Sequence, residues 1–150
     1  MKGVIIMSAG YLYAANTTSQ TLAVGDTINM GSPVRRFGCV KNTSVPYATA
    51  NGTTTTLSSC GRCPTYFDIK TAFVVTPTVD GTVTITALQD GVAIPGAVAA
   101  ATVAATDTTV TLPLTFGVRL NTGTTSSNIT YVLSGAASTV SNTAETVSKQ

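Results

Sequence analysis

The sequence predicts an all-β chain, an antiparallel β-sandwich or jelly roll, and three observations carry that prediction. β-Branched residues dominate, with 30 Thr and 17 Val among 150 residues. Their side chains are stiff at χ1 and pack well on a pleated surface. Apolar and polar residues alternate at a period of two in several runs, the mark of a strand with one buried face. Turn dipeptides separate those runs at short intervals, as in a sandwich or barrel. Helix formers are scarce, with one Glu, four Lys and eight Leu.

Strands are expected near residues 8–14, 20–30, 34–41, 53–58, 66–76, 82–94, 108–119, 128–134 and 138–148. Asn51-Gly52 precedes the fourth of these and marks a turn. In the fifth, Phe67, Ile69, Phe73 and Val75 fall on one side. Asp80-Gly81 opens the sixth, in which Val83, Ile85 and Ala87 share a face and threonines take the other. Asp90-Gly91 is a hairpin-type dipeptide, and Pro95-Gly96 a further break. Residues 97–105 fit a helical turn, a strand or a loop. Val110, Leu112 and Leu114 define the buried face of the next run, and Pro113 inside it implies an edge position or a bulge. Ile129, Tyr131 and Leu133 do the same for the run that Gly135 closes. The tail from Thr139 onward alternates weakly and has only Val140 and Val147 as large apolar residues, which suggests an edge strand.

The length suits a single domain with its own core. We divide it into an N-terminal segment, residues 1–16, that could anchor the protein to something else, and a jelly-roll domain, residues 17–150. The run Val4 to Met7 is shorter than the ~7–15-residue core of a signal peptide, and no stretch reaches the ~20 apolar residues of a membrane helix. We therefore expect no membrane partner and no secretion by the general route. Native translation could begin at Met1 or at Met7. The four Asn-x-Ser/Thr sequons, at Asn16, Asn42, Asn51 and Asn128, are read as chance in a Thr-rich chain.

Composition also narrows function. Charged residues make up only 9 % of the chain, and there is no His. Every His-based nucleophile, acid/base pair or metal site is excluded. Acidic residues are Asp26, Asp68, Asp80, Asp90, Asp107 and Glu145. Asp80 and Asp90 read as turn residues before Gly, Asp26 and Asp107 as loop residues, and Asp68 as a solvent-facing strand position beside Lys70. No catalytic residue and no cofactor is expected. A net charge of +2, with no cationic cluster beyond Arg35-Arg36, argues against a nucleic-acid partner. Cys60-Gly61-Arg62-Cys63 is a CxxC, and Cys39 is the third cysteine. Three cysteines without His cannot close a four-ligand zinc site within one chain. No metal is assigned, and the thiols stay open between free, disulfide-bonded and metal-binding states.

Arg35 and Arg36 must point to opposite faces of their strand. Arg36 is the one we assign to a subunit contact, because Arg is enriched at interfaces. Tyr47, in Ser44-Val45-Pro46-Tyr47-Ala48, is the best exposed aromatic candidate for a ligand contact.

Several of these segments together resemble a known family. They are the run from Cys63-Pro64-Thr65-Tyr66-Phe67-Asp68-Ile69 to Val75, Asp80-Gly81-Thr82-Val83-Thr84-Ile85, and Leu88-Gln89-Asp90-Gly91-Val92-Ala93-Ile94-Pro95-Gly96-Ala97. Val34 to Cys39 and Ser8 to Ala14 add to the match. The pattern resembles the trimeric jelly rolls of the tumour necrosis factor and complement globular-head type, in particular small proteins of bacteriophages and prophages. The resemblance implies a homotrimer, with Tyr66 and Phe67 near its core. It also implies a structural role in the virion, as a capsid decoration or head-fibre protein on the capsid surface, assembled in the host cytoplasm. Its partner would be the major capsid protein or another virion component. The alternatives are a module of the same fold that binds a host-surface glycan or protein, and a spore or cell-surface coat subunit.

Overall fold

Side-chain alternation decides which face of each strand is buried, and among the described residues eleven strands form on that rule. The computed structural model describes residues 10–38, 48–59, 61–103 and 108–149. The strands are β1 (Gly10–Asn16), β2 (Gln20–Leu22), β3 (Ser32–Gly38), β4 (Ala48–Asn51), β5 (Thr54–Ser58), β6 (Thr65–Pro77), β7 (Gly81–Gln89), β8 (Val92–Val103), β9 (Val110–Leu120), β10 (Ser126–Ser134) and β11 (Ser138–Lys149). They pair antiparallel in two sheets. The first sheet has the order β3-β1-β11-β6-β9, with β2 also on β11. The second has the order β4-β5-β10-β7-β8. From β6 onward the chain passes from the first sheet to the β7–β8 hairpin of the second, back to β9, across to β10 and back to β11. The inward residues of both sheets meet in one core, with Phe67, Ile69, Phe73, Val83, Ile85, Leu112, Ile129, Tyr131 and Leu133 among its members. The expected sandwich of jelly-roll type is the observed one.

The strands with strong alternation lie where the sequence places them. Pro113 stands exposed on β9, the end strand of its sheet, where a missing N–H breaks no ladder. Three expectations change. The strand drawn over 82–94 is a hairpin: β7 stops at Gln89, Asp90 (φ 50°) and Gly91 (φ 83°) turn, and β8 starts at Val92. Positive φ at both central residues is what a tight hairpin turn requires. Of the three readings open for residues 97–105, residues 97–103 take the strand, as the continuation of β8. The strand drawn over 20–30 is short. β2 pairs with β11, Gly25 turns (φ 95°), and the chain then runs along β10, where Ile28 N–H donates to the Tyr131 carbonyl at 2.8 Å. Residues 20–30 thus cross from one sheet to the other.

The third change concerns the tail. β11 is an inner strand of the first sheet, between β1 and β6. Val140 and Val147 are an odd number of positions apart, so strict alternation would put them on opposite faces. A register shift between Val140 and Asn142 restores the phase, and both valines are buried. The segment expected to serve as an anchor, residues 1–16, also extends into this sheet. Gly10–Asn16 is β1, paired with β11 on one side and β3 on the other. Residues 1–9 lie outside the described residues.

Candidate functional site

The first sheet turns one face to the core and the other outward, and its register sets out the outward face row by row. Residues directly opposite in an antiparallel pair share a face. One row reads Ala15, Ala144, Ala72 and Pro113 across β1, β11, β6 and β9. The row beside it reads Tyr13, Thr146, Lys70 and Thr115, and the next Tyr11, Ser148, Asp68 and Gly117. The alanine row, small on all four strands, makes a low-relief band that a second backbone can approach. Charge gathers at one end, with Asp68, Lys70 and Arg119. The Arg119 guanidinium lies 5.5 Å from the centre of the Tyr66 ring, a cation–π contact. Beyond the alanine row, Val74 and Thr111 keep the opposite end uncharged.

This face brings together part of what the sequence singled out. Tyr66 projects onto it, 48 % exposed. Phe67, its neighbour, points the other way and is fully buried in the chain's own core, so its side chain offers a second chain no surface. Arg36 is opposite Leu12, a core residue, whereas Arg35 is opposite Tyr13. Arg35 is therefore the arginine on the outward face, and Arg36 lies on the other side of β3. Tyr47, Cys39, Cys60 and Asp107 lie outside the described residues, and Cys63 is an exposed free thiol. Among the described residues, no three of Cys, Asp and Glu gather closely enough to share a metal ion.

Two of the carboxylates read as turn or loop residues, Asp26 and Asp90, hold loops. Asp26 Oδ2 accepts the Ala23 N–H at 2.9 Å. Asp90 does more than turn the hairpin: its carboxylate accepts the Ser127 hydroxyl at 2.6 Å and the Asn128 N–H at 2.8 Å, fastening the β7–β8 turn to β10. Asp90→Ala is expected to cost about 1–2 kcal/mol, the range for two such bonds at a partly exposed site. Asp90→Asn, which tolerates positive φ, should cost less. Urea unfolding of both variants checks the order.

A cleft of about 430 Å³ opens beside β1 and β2, lined by residues including Asn16, Gln20, Asn29 and Gly31. Its amides are engaged locally. Gln20 Nε2 donates to the Asn29 carbonyl at 2.7 Å, and Gln20 Oε1 accepts the Asn29 N–H at 2.8 Å.

Sequence reasoning missed Glu145. It lies fully buried between the sheets. Its Oε1 accepts the Thr55 hydroxyl at 2.5 Å, and its Oε2 accepts the Tyr131 hydroxyl. Burial pushes the carboxyl up from its usual range, while the two hydroxyls pull it partly back. Burial, the Glu145 charge and its hydrogen bond together hold the Tyr131 phenol well above its ordinary value. The signal was available, because Glu145 is in phase with Val147.

No known family's sequence profile matches the chain. No curated protein matches it either. Solved structures do. The chain is similar to murine APRIL, with a TM-score of 0.63 and 14 % identity, covering 95 % of this chain and 99 % of that one. It is similar to the Eiger TNF of S. frugiperda, with a TM-score of 0.62 and 9 % identity, covering 95 % of this chain and 91 % of that one. At these identities the likeness concerns the fold, which is the jelly roll of the tumour necrosis factor type.

Proposed function

We propose that this chain is a non-enzymatic structural subunit that works as a homotrimer, packed through the outward face of its first sheet. The observation that carries this reading is that face itself: a continuous row of Ala15, Ala144, Ala72 and Pro113 at the middle of a four-strand surface. An outward row of small, half-buried or exposed side chains does nothing for a monomer and lets a second copy approach closely. A closed ring of three copies satisfies such a face without leaving an open filament. Low charge, 9 % of residues, suits a protein packed into a larger assembly better than one free in solution. Native mass spectrometry of the purified chain is expected to show a trimer, and a monomer at micromolar concentration would overturn the reading.

For the place of that trimer we propose the surface of a bacteriophage capsid, as a decoration or head-fibre protein on the major capsid protein. The sequence resemblance to small phage and prophage proteins supports this, as does an exterior rich in Thr and Ala. Quantitative mass spectrometry of density-purified virions is expected to find the chain in fixed proportion to the major capsid protein. Its absence from virions would remove the capsid placement and leave the trimer standing.

A further inference from the structure

We propose that Glu145 is a proton-dependent latch between the two sheets, one that holds them together best while its carboxyl carries a proton and loosens β11 when the proton leaves. The geometry is specific. Glu145 is on β11 in the first sheet, while Thr55 and Tyr131, whose hydroxyls take its two oxygens, are on β5 and β10 in the second. Tyr131 is itself held edge-on by Phe73 at 5.5 Å and Phe116 at 6.2 Å, both from the first sheet. The three side chains form a polar crossing through a largely apolar core.

The surroundings decide which state of the carboxyl this crossing favours. Its cross-strand neighbours are Ala14 on β1 and Thr71 on β6, and the Thr71 hydroxyl already donates to the Leu114 carbonyl at 3.1 Å. Thr143, the next inward residue on β11, has a buried hydroxyl without a partner among the described residues. The buried side chains of β1, β5, β6 and β10 are uncharged, and the one titratable group among the described residues that faces Glu145 is Tyr131. A carboxylate here would be stripped of water and compensated only by two neutral hydroxyls, which is too little for a buried charge. A neutral acid loses far less on burial and can hydrogen-bond to both.

The direction with pH follows. The folded chain binds this proton more tightly than the unfolded chain, where a free Glu titrates at about 4.3. Its contribution to stability is therefore complete below that value and is lost as pH rises through the higher folded value. Tyr131 acts in the same direction at strongly alkaline pH, because its phenol too is held protonated.

Two measurements test the latch. Glu145 is the only Glu in the chain, so Glu-specific ¹³C labelling gives one side-chain carboxyl signal that titrates alone. Its midpoint in the folded protein is expected above about 4.3, the value for a free Glu, and a midpoint at or below it would overturn the proposal. The second is thermal unfolding of the wild type and Glu145→Gln from about pH 4 to about pH 9. The wild type should lose about 3 °C or more of Tm for each unit by which folding raises the carboxyl, while the variant loses less across the same window. Parallel profiles would overturn the latch. If the variant does not fold, the labelled wild type still decides.

Discussion

Gly135→Ala is expected to destabilise the chain by about 3 kcal/mol or more, while Gly91→Ala costs about 1–2 kcal/mol. Both glycines have the left-handed backbone, with φ of 82° at Gly135 and 83° at Gly91. They differ in what a Cβ would meet. At Gly91 there is nothing within 4 Å, so alanine carries only the conformational strain. At Gly135 the Cβ would lie 1.9 Å from the Thr82 carbonyl oxygen, which is ladder backbone at the start of β7. That oxygen cannot swing aside as a flexible side chain could, so the β10–β11 turn or the end of β7 must give way. Urea unfolding measures both, and a large gap in midpoint at unchanged slope is the expected result. Equal losses would mean that the turn absorbs the clash.

Ala72→Glu is expected to turn the proposed trimer into a monomer without unfolding it. Ala72 is at the middle of the alanine row, and its side chain points away from the core. A glutamate there would bury an unpaired charge between copies. Such a charge costs about 3–5 kcal/mol, or about 10²- to 10⁴-fold in dissociation constant per contact. Thr84→Glu is the control. Thr84 projects outward from β7 in the second sheet, and the change there should leave the assembly intact. Light scattering coupled to gel filtration reads the mass, and thermal unfolding verifies that the monomer is folded. A trimer that survives Ala72→Glu would move the interface to another surface.

The sequence was most legible where one face is strongly apolar. β6, β7, β9 and β10 declare their inward residues by alternation alone, because large side chains on one face leave little choice of register. β11 was misread for a physical reason. Its inward face carries Ser138, Thr143 and Glu145 besides its two valines, so it reads as polar, and a bulge shifts the phase halfway along. Its central place comes from its neighbours: β1 and β6 pair with it on both sides and bury what a composition scan would put in water. Glu145 was hidden in the same way, since a lone acid in a Thr-rich tail looks solvated until the opposite sheet supplies Thr55 and Tyr131. The outward face of the first sheet was legible only in part. Tyr66 could be placed from sequence, but the choice of Arg35 over Arg36 depends on pairing with β1, which alternation within β3 does not reveal.

The pairing of β1 with β11 sets Gly10 opposite Lys149. The chain therefore enters and leaves the sandwich side by side, at the end that also carries the Asn121–Gly123 turn, while the turn around Gly135 is at the far end. In a threefold assembly with parallel subunits, the three Gly10–Lys149 pairs would gather at one pole and the three Gly135 turns at the other, so the assembly would be a peg with two unlike tips.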